Sequence, residues 1–192
     1  MPGTLFINAC VRRGTSRTDR LARALLSALG GGFEEVVLET SDVRGLDSAS
    51  LERRDSSIAS GDFSDPMFDR AKRFMDADTV VVAAPFWESC FPATLKAYLE
   101  EVSVPRLVYR YNEHGIPEGN CRCTLYYVTT RGGPVPDEGD LGLMVIRETC
   151  RVFGITDVRV LSASGLDIVG NDVEAILSEA IERIPGLVSP TA

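Results

Sequence analysis

Residues 77–102, ADTVVVAAPFWESCFPATLKAYLEEV, read as a buried strand, an aromatic loop and an amphipathic helix in immediate succession. The run 79–84 is uninterrupted and rich in β-branched residues, as expected of a central parallel strand covered on both faces. Pro85 ends the strand. Pro92 suits the first turn of a helix on which Phe91, Leu95, Tyr98, Leu99 and Val102 share one face. Between them lies Phe86-Trp87-Glu88-Ser89-Cys90. Ligands of open α/β sheets bind just outside the carboxyl ends of strands, so this loop stands where a flat ligand is expected.

Working outward, further strand-like runs fall at 4–9, 34–38, 123–129 and 157–163, with helical patterns filling most of the gaps. That alternation implies a doubly wound α/β domain. The first helix spans 16–29, with Leu21, Leu25 and Leu29 on one stripe, a capping box from Ser16 to Asp19, and a stop at Gly30, Gly31 and Gly32. Residues 41–65 are polar and irregular, expected as a functional loop or an insertion, and a helix over 66–76 follows. Alternation over 106–118 predicts a short hairpin leaving the main sheet, with His114 in its turn. Two more helices are expected, at 140–153 with Gly154 as stop and at 172–184 with Asn171 as cap. Residues 1–187 thus form one domain and 188–192 a loose tail. Five parallel strands with helices on both faces favour a three-layer sandwich of strand order 2-1-3-4-5 over the six-stranded dinucleotide fold.

The 192 residues, 44% hydrophobic and 25% charged, suit one globular domain with a sizeable core. A formal net charge of -8 argues against nucleic-acid or anionic-membrane partners, so an anionic ligand must be held by local groups. Residues 4–9 enter a strand without the pattern of a signal peptide, and no run approaches the roughly 18 apolar residues of a membrane helix. Five cysteines without framework spacing point to a reducing compartment, and the expected location is the cytoplasm. Cys121-Arg122-Cys123 beside a single histidine is a poor ligand supply, so no metal is expected.

Strand order 2-1-3-4-5 brings three loops to one edge. The first, residues 10–18, combines hydroxyls, arginines and a helix start, the parts of a phosphate cradle or of ordinary capping. It contains neither GxGxxG nor GxxxxGK[ST], which disfavours dinucleotide Rossmann and Walker-type sites. The second is the aromatic loop. The third, Thr129-Thr130-Arg131-Gly132-Gly133-Pro134, has paired glycines that let backbone approach a planar ligand, or that simply make a tight turn.

Residues 77–87, Phe91-Pro92-Ala93-Thr94-Leu95-Lys96-Ala97-Tyr98, Thr130-Arg131-Gly132-Gly133 and Phe153-Gly154-Ile155-Thr156-Asp157-Val158 together give the chain its family likeness. It resembles the flavodoxin-like NAD(P)H:quinone oxidoreductases and FMN-dependent azoreductases along essentially its whole length. The resemblance implies FMN phosphate binding by Ser16, Arg17 and Thr18, with Arg12 as a further candidate. It places Pro85, Phe86, Trp87 and Glu88 against the isoalloxazine and Thr130, Arg131, Gly132 and Gly133 at its far edge. Two positions depart from the azoreductase pattern: Glu88 stands where asparagine is usual, and Cys10 where serine is. A carboxylate beside a flavin disfavours a negatively charged reduced ring, so Glu88 either faces away or contributes its backbone N–H.

The same resemblance implies a two-step cycle in which NADH or NADPH reduces the flavin and a quinone-like or azo acceptor then takes two electrons. The chemistry sits on the flavin, FMN with FAD as the alternative, and no catalytic acid or base is assigned. Trp87, Tyr109 and Tyr111 are candidates for an aromatic substrate pocket, and a homodimer is implied. The rival readings are a flavodoxin-like electron carrier and a flavin-free interaction module.

Overall fold

The computed structural model describes residues 3–189. Its elements run β1 (Thr4–Asn8), α1 (Arg17–Leu29), β2 (Phe33–Val37), α2 (Ser48–Ser60), α3 (Asp69–Asp76), β3 (Thr79–Ala83), α4 (Ala93–Val102), β4 (Tyr109–Tyr111), β5 (Pro117–Gly119), β6 (Thr124–Thr130), α5 (Leu141–Phe153), β7 (Asp157–Ala163), α6 (Val173–Glu182) and α7 (Ile184–Val188). The main sheet has five strands in the order β2-β1-β3-β6-β7, every neighbouring pair parallel. Counting only main-sheet strands, this is the expected 2-1-3-4-5 order of a flavodoxin-like fold.

The pleat sends alternate residues to opposite faces. Ile7, Val82 and Tyr127 lie in register and enter a core shared with α3, α4 and α5, through Phe74, Leu95, Tyr98, Ile146 and Phe153. Their neighbours Phe6, Val81 and Tyr126 face the other core, where Leu21 and Leu25 of α1 meet Leu177 of α6 and Ile184 of α7. Burial on both sides explains why these strands read as continuous apolar runs.

Five local expectations are revised. Residues 48–60 form α2, a helix with only Arg54 buried. Its stability is local at the ends: Asp47 and Ser50 exchange capping-box hydrogen bonds, and Gly61 closes it in the left-handed conformation. Arg54 also caps α4, donating to Glu100 O at 3.0 Å and to Ser103 O. At α1, Ser16 Oγ accepts from Asp19 N–H at 3.2 Å, but the Asp19 carboxylate takes Asn8 and Arg23 instead of returning to the cap. Pro92 is the N-cap of α4 rather than part of its first turn. At α6 the cap is Asp172, whose Oδ1 accepts from Ala175 N–H, while Asn171 Nδ2 donates to Gly165 O. The single helix expected over 172–184 is two helices separated at Arg183, and α7 extends to Val188, with Pro185 in its first turn. The last part of the expected tail, residues 190–192, lies outside the described residues.

The hairpin β4–β5 forms as expected, separate from the main sheet, with His114 exposed in its turn. It is pinned to the end of α5. Tyr109 stacks on Phe153 with ring centroids 6.0 Å apart, and Cys121 N–H donates to Phe153 O. Gly119 is required there because a Cβ would lie 1.8 Å from the Phe153 carbonyl carbon.

Candidate functional site

The carboxyl ends of β1, β3, β6 and β7 deliver four loops to one cleft of about 420 Å³. The volume falls within the range of small-molecule sites. A larger depression of about 790 Å³ lies at the opposite sheet edge, around Gly3, Phe33 and Arg73, where Arg73 pairs with Glu34. The carboxyl edge is the place where α/β sheets converge their loops on a ligand, and only there do the hydroxyl, aromatic and glycine segments meet.

The first loop is set by Asn8, buried at the end of β1. Its Nδ2 donates to Asp19 Oδ1 at 2.8 Å and Glu35 Oε1 at 2.9 Å, while its Oδ1 accepts from Cys10 N–H at 2.9 Å. This orients the turn that leads into α1. Arg12, Ser16, Arg17 and Thr18 line the cleft, joined by Val11 and Thr15. Ser16 uses its oxygen as the helix cap, and the amides of Arg17 and Thr18, in the first turn, have no intrahelical acceptor and sit at the positive end of α1. The Thr18 hydroxyl is buried against Thr130 Oγ1 at 2.6 Å, tying helix to strand. Burial pushes the Cys10 thiol up to about 11, so it is a neutral neighbour of this loop at physiological pH.

Pro85, Phe86 and Trp87 form the second wall. Phe86 N–H donates to Thr130 O at 3.1 Å, linking the second and third loops, and Trp87 keeps 41% exposure at the rim. Trp87 and Cys90 exchange both backbone hydrogen bonds, at 2.9 and 2.8 Å, so Glu88 and Ser89 form a two-residue turn with φ of 47° and 65°. Neither is glycine or asparagine, the residues such a turn favours. The Glu88 side chain is exposed, and Glu88 is not among the residues that line the cleft.

Thr130, Arg131 and Gly132 complete the back wall, and Gly133 lies just outside it. The Arg131 side chain does not face the cleft. It is 1% exposed, donates through Nε and Nη2 to Asp140 Oδ2 at 3.0 and 2.9 Å, and reaches Asp137 Oδ1 at 2.7 Å. With the guanidinium bonded into the interior, Arg131 lines the cleft beside Thr130 and Gly132 without turning its charge toward it. Tyr109 and Tyr111 sit on the hairpin, Tyr109 stacked on Phe153 of α5, and are not among the residues of this chain that line the cleft with Trp87.

The fourth loop, after β7, is the part sequence reasoning missed. It brings Leu166 and Asp167, and Arg17 bridges to it, donating to Leu166 O and to Asp167 Oδ1, both at 2.7 Å. The signal available in sequence was the glycine pair Gly165 and Gly170 directly after the last strand. Chemically, the cleft joins an anion-binding end, a flat aromatic wall and an edge of bare backbone.

Comparison with known proteins bears on the fold and the family. A relative from Clostridium beijerinckii, named FMN-dependent NADH:quinone oxidoreductase, is 29% identical over 190 residues, covering 95% of this chain and 96% of that protein. FMN-dependent NADH:quinone oxidoreductase 2 of Clostridium acetobutylicum is 39% identical over 119 residues, 59% of this chain and 58% of its own length. Among solved structures, an azoreductase from Bacillus anthracis shares the fold with a TM-score of 0.85 at 18% identity, covering 98% of this chain and 99% of that one. An FMN-dependent NADH-azoreductase from the same species, in complex with FMN, superposes with a TM-score of 0.83 at 18% identity over 98% of each chain. The model of the family described as flavodoxin-like fold matches residues 3–186, and the chain belongs to that family.

Proposed function

We propose that this protein is an FMN-dependent oxidoreductase that takes hydride from NADH or NADPH and reduces small quinone-like or azo acceptors. The observation that carries the reading is the convergence, in one cleft, of the α1 N-terminus with Arg12 and Arg17, the Pro85-Phe86-Trp87 wall and the Thr130–Gly132 edge. The names of the relatives support it.

The residues present fit FMN. The amides of Arg17 and Thr18 and the two guanidinium groups suit a phosphate monoester. Gly132 presents bare backbone to the cleft, with Asp167 Oδ2 standing 2.2 Å from where a Cβ would be. When bound, FMN supplies two-electron hydride chemistry. The chain's own groups orient and enclose: Trp87 and Phe86 wall the ring, and Thr130 and Gly132 hold its edge. Positioning is the contribution these groups make to chemistry that the flavin would carry.

In the same reading the protein works as a homodimer in the cytoplasm. The exposed Trp87, Leu141 and Met144 provide apolar surface for a second copy. Among the described residues no helix is long and apolar enough to cross a membrane.

The test is to add FMN to purified protein, record the visible spectrum after removing free flavin, and follow oxidation of NADH and NADPH with menadione. Retained flavin and nicotinamide oxidation above a free-FMN blank are expected. Flavin uptake without nicotinamide oxidation refutes the enzyme in favour of an electron carrier, and no flavin uptake refutes the whole reading. Mass spectrometry of released flavin distinguishes FMN from FAD, and size-exclusion chromatography with light scattering tests the dimer.

A further inference from the structure

The loop after β7 is fixed in its backbone, and one of its side chains crosses the cleft to the first loop. Gly165 and Gly170 adopt φ of 78° and 93°. Between Gly165 and Asp167, three amides donate to the neighbouring loop: Gly165 N–H to Gly133 O at 3.0 Å, Leu166 N–H to Arg131 O at 3.2 Å and Asp167 N–H to Gly132 O at 2.9 Å. The Asp167 side chain remains 67% exposed, and its ion pair is with Arg17. The Arg17 fork is divided, with Nη1 on Leu166 O and Nη2 on Asp167 Oδ1. The other Asp167 oxygen lies over Gly132. A carboxylate therefore stands between the arginine of the anion-binding loop and the glycine loop, within a cleft otherwise organised for a negative group.

We infer that Asp167 competes intramolecularly with a ligand's phosphate for the Arg17 guanidinium, and so sets how strongly the site prefers a phosphorylated flavin over an unphosphorylated one. This rests on the FMN reading above. A phosphate monoester carries a charge near -2, and a guanidinium binds an oxyanion best through two parallel hydrogen bonds. With Nη2 engaged by Asp167, the phosphate either displaces the carboxylate or shares the arginine with it. In both cases a like charge opposes it. Riboflavin has the same ring and ribityl chain without the phosphate, so it escapes this competition. Asp167 is thus a specificity-determining residue that lowers the affinity for FMN while holding Arg17 oriented across the cleft.

Asp167→Asn keeps the size and a hydrogen-bond acceptor for Arg17 while removing the charge. Fluorescence-quenching titrations of the flavin-free protein with FMN and with riboflavin measure the effect directly, without turnover. The expected result is FMN binding tighter by about tenfold, the scale of one charge removed near a dianion in a half-exposed site, with riboflavin binding unchanged. The gain shrinks as ionic strength rises. In an Arg17→Gln background it also shrinks, because the contested group is gone. Thermal melting of each variant checks that the fold persists, as expected for an exposed side chain. Equal weakening of both flavins overturns the inference, since it would make Asp167 an acceptor for the ribityl chain they share. Unchanged FMN affinity in Asp167→Asn, with FMN bound by the natural protein, overturns it while leaving the FMN reading intact. Failure of both proteins to bind FMN removes the FMN reading and this inference together.

Discussion

Replacing Asp140 by alanine is expected to be among the most destabilising single changes near the cleft. The carboxylate is fully buried and does two jobs. Its Oδ2 takes Nε and Nη2 of the buried Arg131, and its Oδ1 caps α5 by accepting from Leu143 N–H at 3.0 Å. Removing one partner of a buried ion pair costs about 3–5 kcal/mol, because the remaining charge is stranded. Losing the cap adds about 1 kcal/mol. Arg131 keeps Asp137 and the Val135 carbonyl, which places the total near the lower end, about 4 kcal/mol. Against a typical stability of about 5–15 kcal/mol this leaves a marginal protein, with Tm lower by about 8–16 °C. Asp140→Asn keeps a cap oxygen and loses the charge, so its cost is smaller, about 2–3 kcal/mol. The double variant Arg131→Met with Asp140→Leu removes both charges and recovers much of the loss. Urea unfolding followed by circular dichroism, with the m-value checked for two-state behaviour, measures these three together with Arg131→Met and Asp140→Leu alone. A cost below about 1 kcal/mol for Asp140→Ala, or a double variant whose loss equals the sum of the single ones, would refute the reasoning.

Four further outcomes are expected. Gly119→Ala forces a Cβ into the Phe153 backbone and should cost about 2–4 kcal/mol, with faster proteolysis in the hairpin; an unchanged Tm contradicts the close approach. Ser89→Gly relieves a left-handed residue at φ 65° and should raise stability by about 1 kcal/mol in the same urea assay, whereas no gain means the turn is unstrained. Trp87→Ala should weaken FMN and riboflavin binding alike, by about three- to tenfold, and a loss confined to FMN would detach Trp87 from the ring. Burial raises Cys10 and Cys123 to about 11 and Cys121 and Cys150 to about 12, so the native state keeps protons that the unfolded chain releases from about pH 8.5 upward. Their contribution is intact below that pH and is lost as pH climbs toward 11–12; a urea midpoint equal at pH 7 and pH 10 would count against it, as would fast native-state reaction of more than Cys90 with a thiol reagent.

The central strands β1, β3 and β6 and the ends of α1 were legible in sequence because burial on two faces demands continuous apolar runs, and because a hydroxyl cap and a glycine stop are local signals. Helix α2 was not, since its apolar residues are few and its one buried side chain is an arginine. Its tertiary anchor is Arg54 against the end of α4, a contact 46 and 49 residues away along the chain. The sequence by itself determined the alternation of strands and helices and the positions of the three loops after β1, β3 and β6, because strand periodicity and strand ends are local, and the expected strand order was borne out. Only the tertiary structure decided what each charged group there does. Arg12, Arg17 and Arg131 look alike in a string of letters, yet Arg131 is neutralised in the interior by Asp140, Arg17 is bridged to Asp167 across the cleft, and Arg12 remains exposed at its edge. A charge takes its role from the partner nearest in space, and those partners are set by packing between elements distant in the chain.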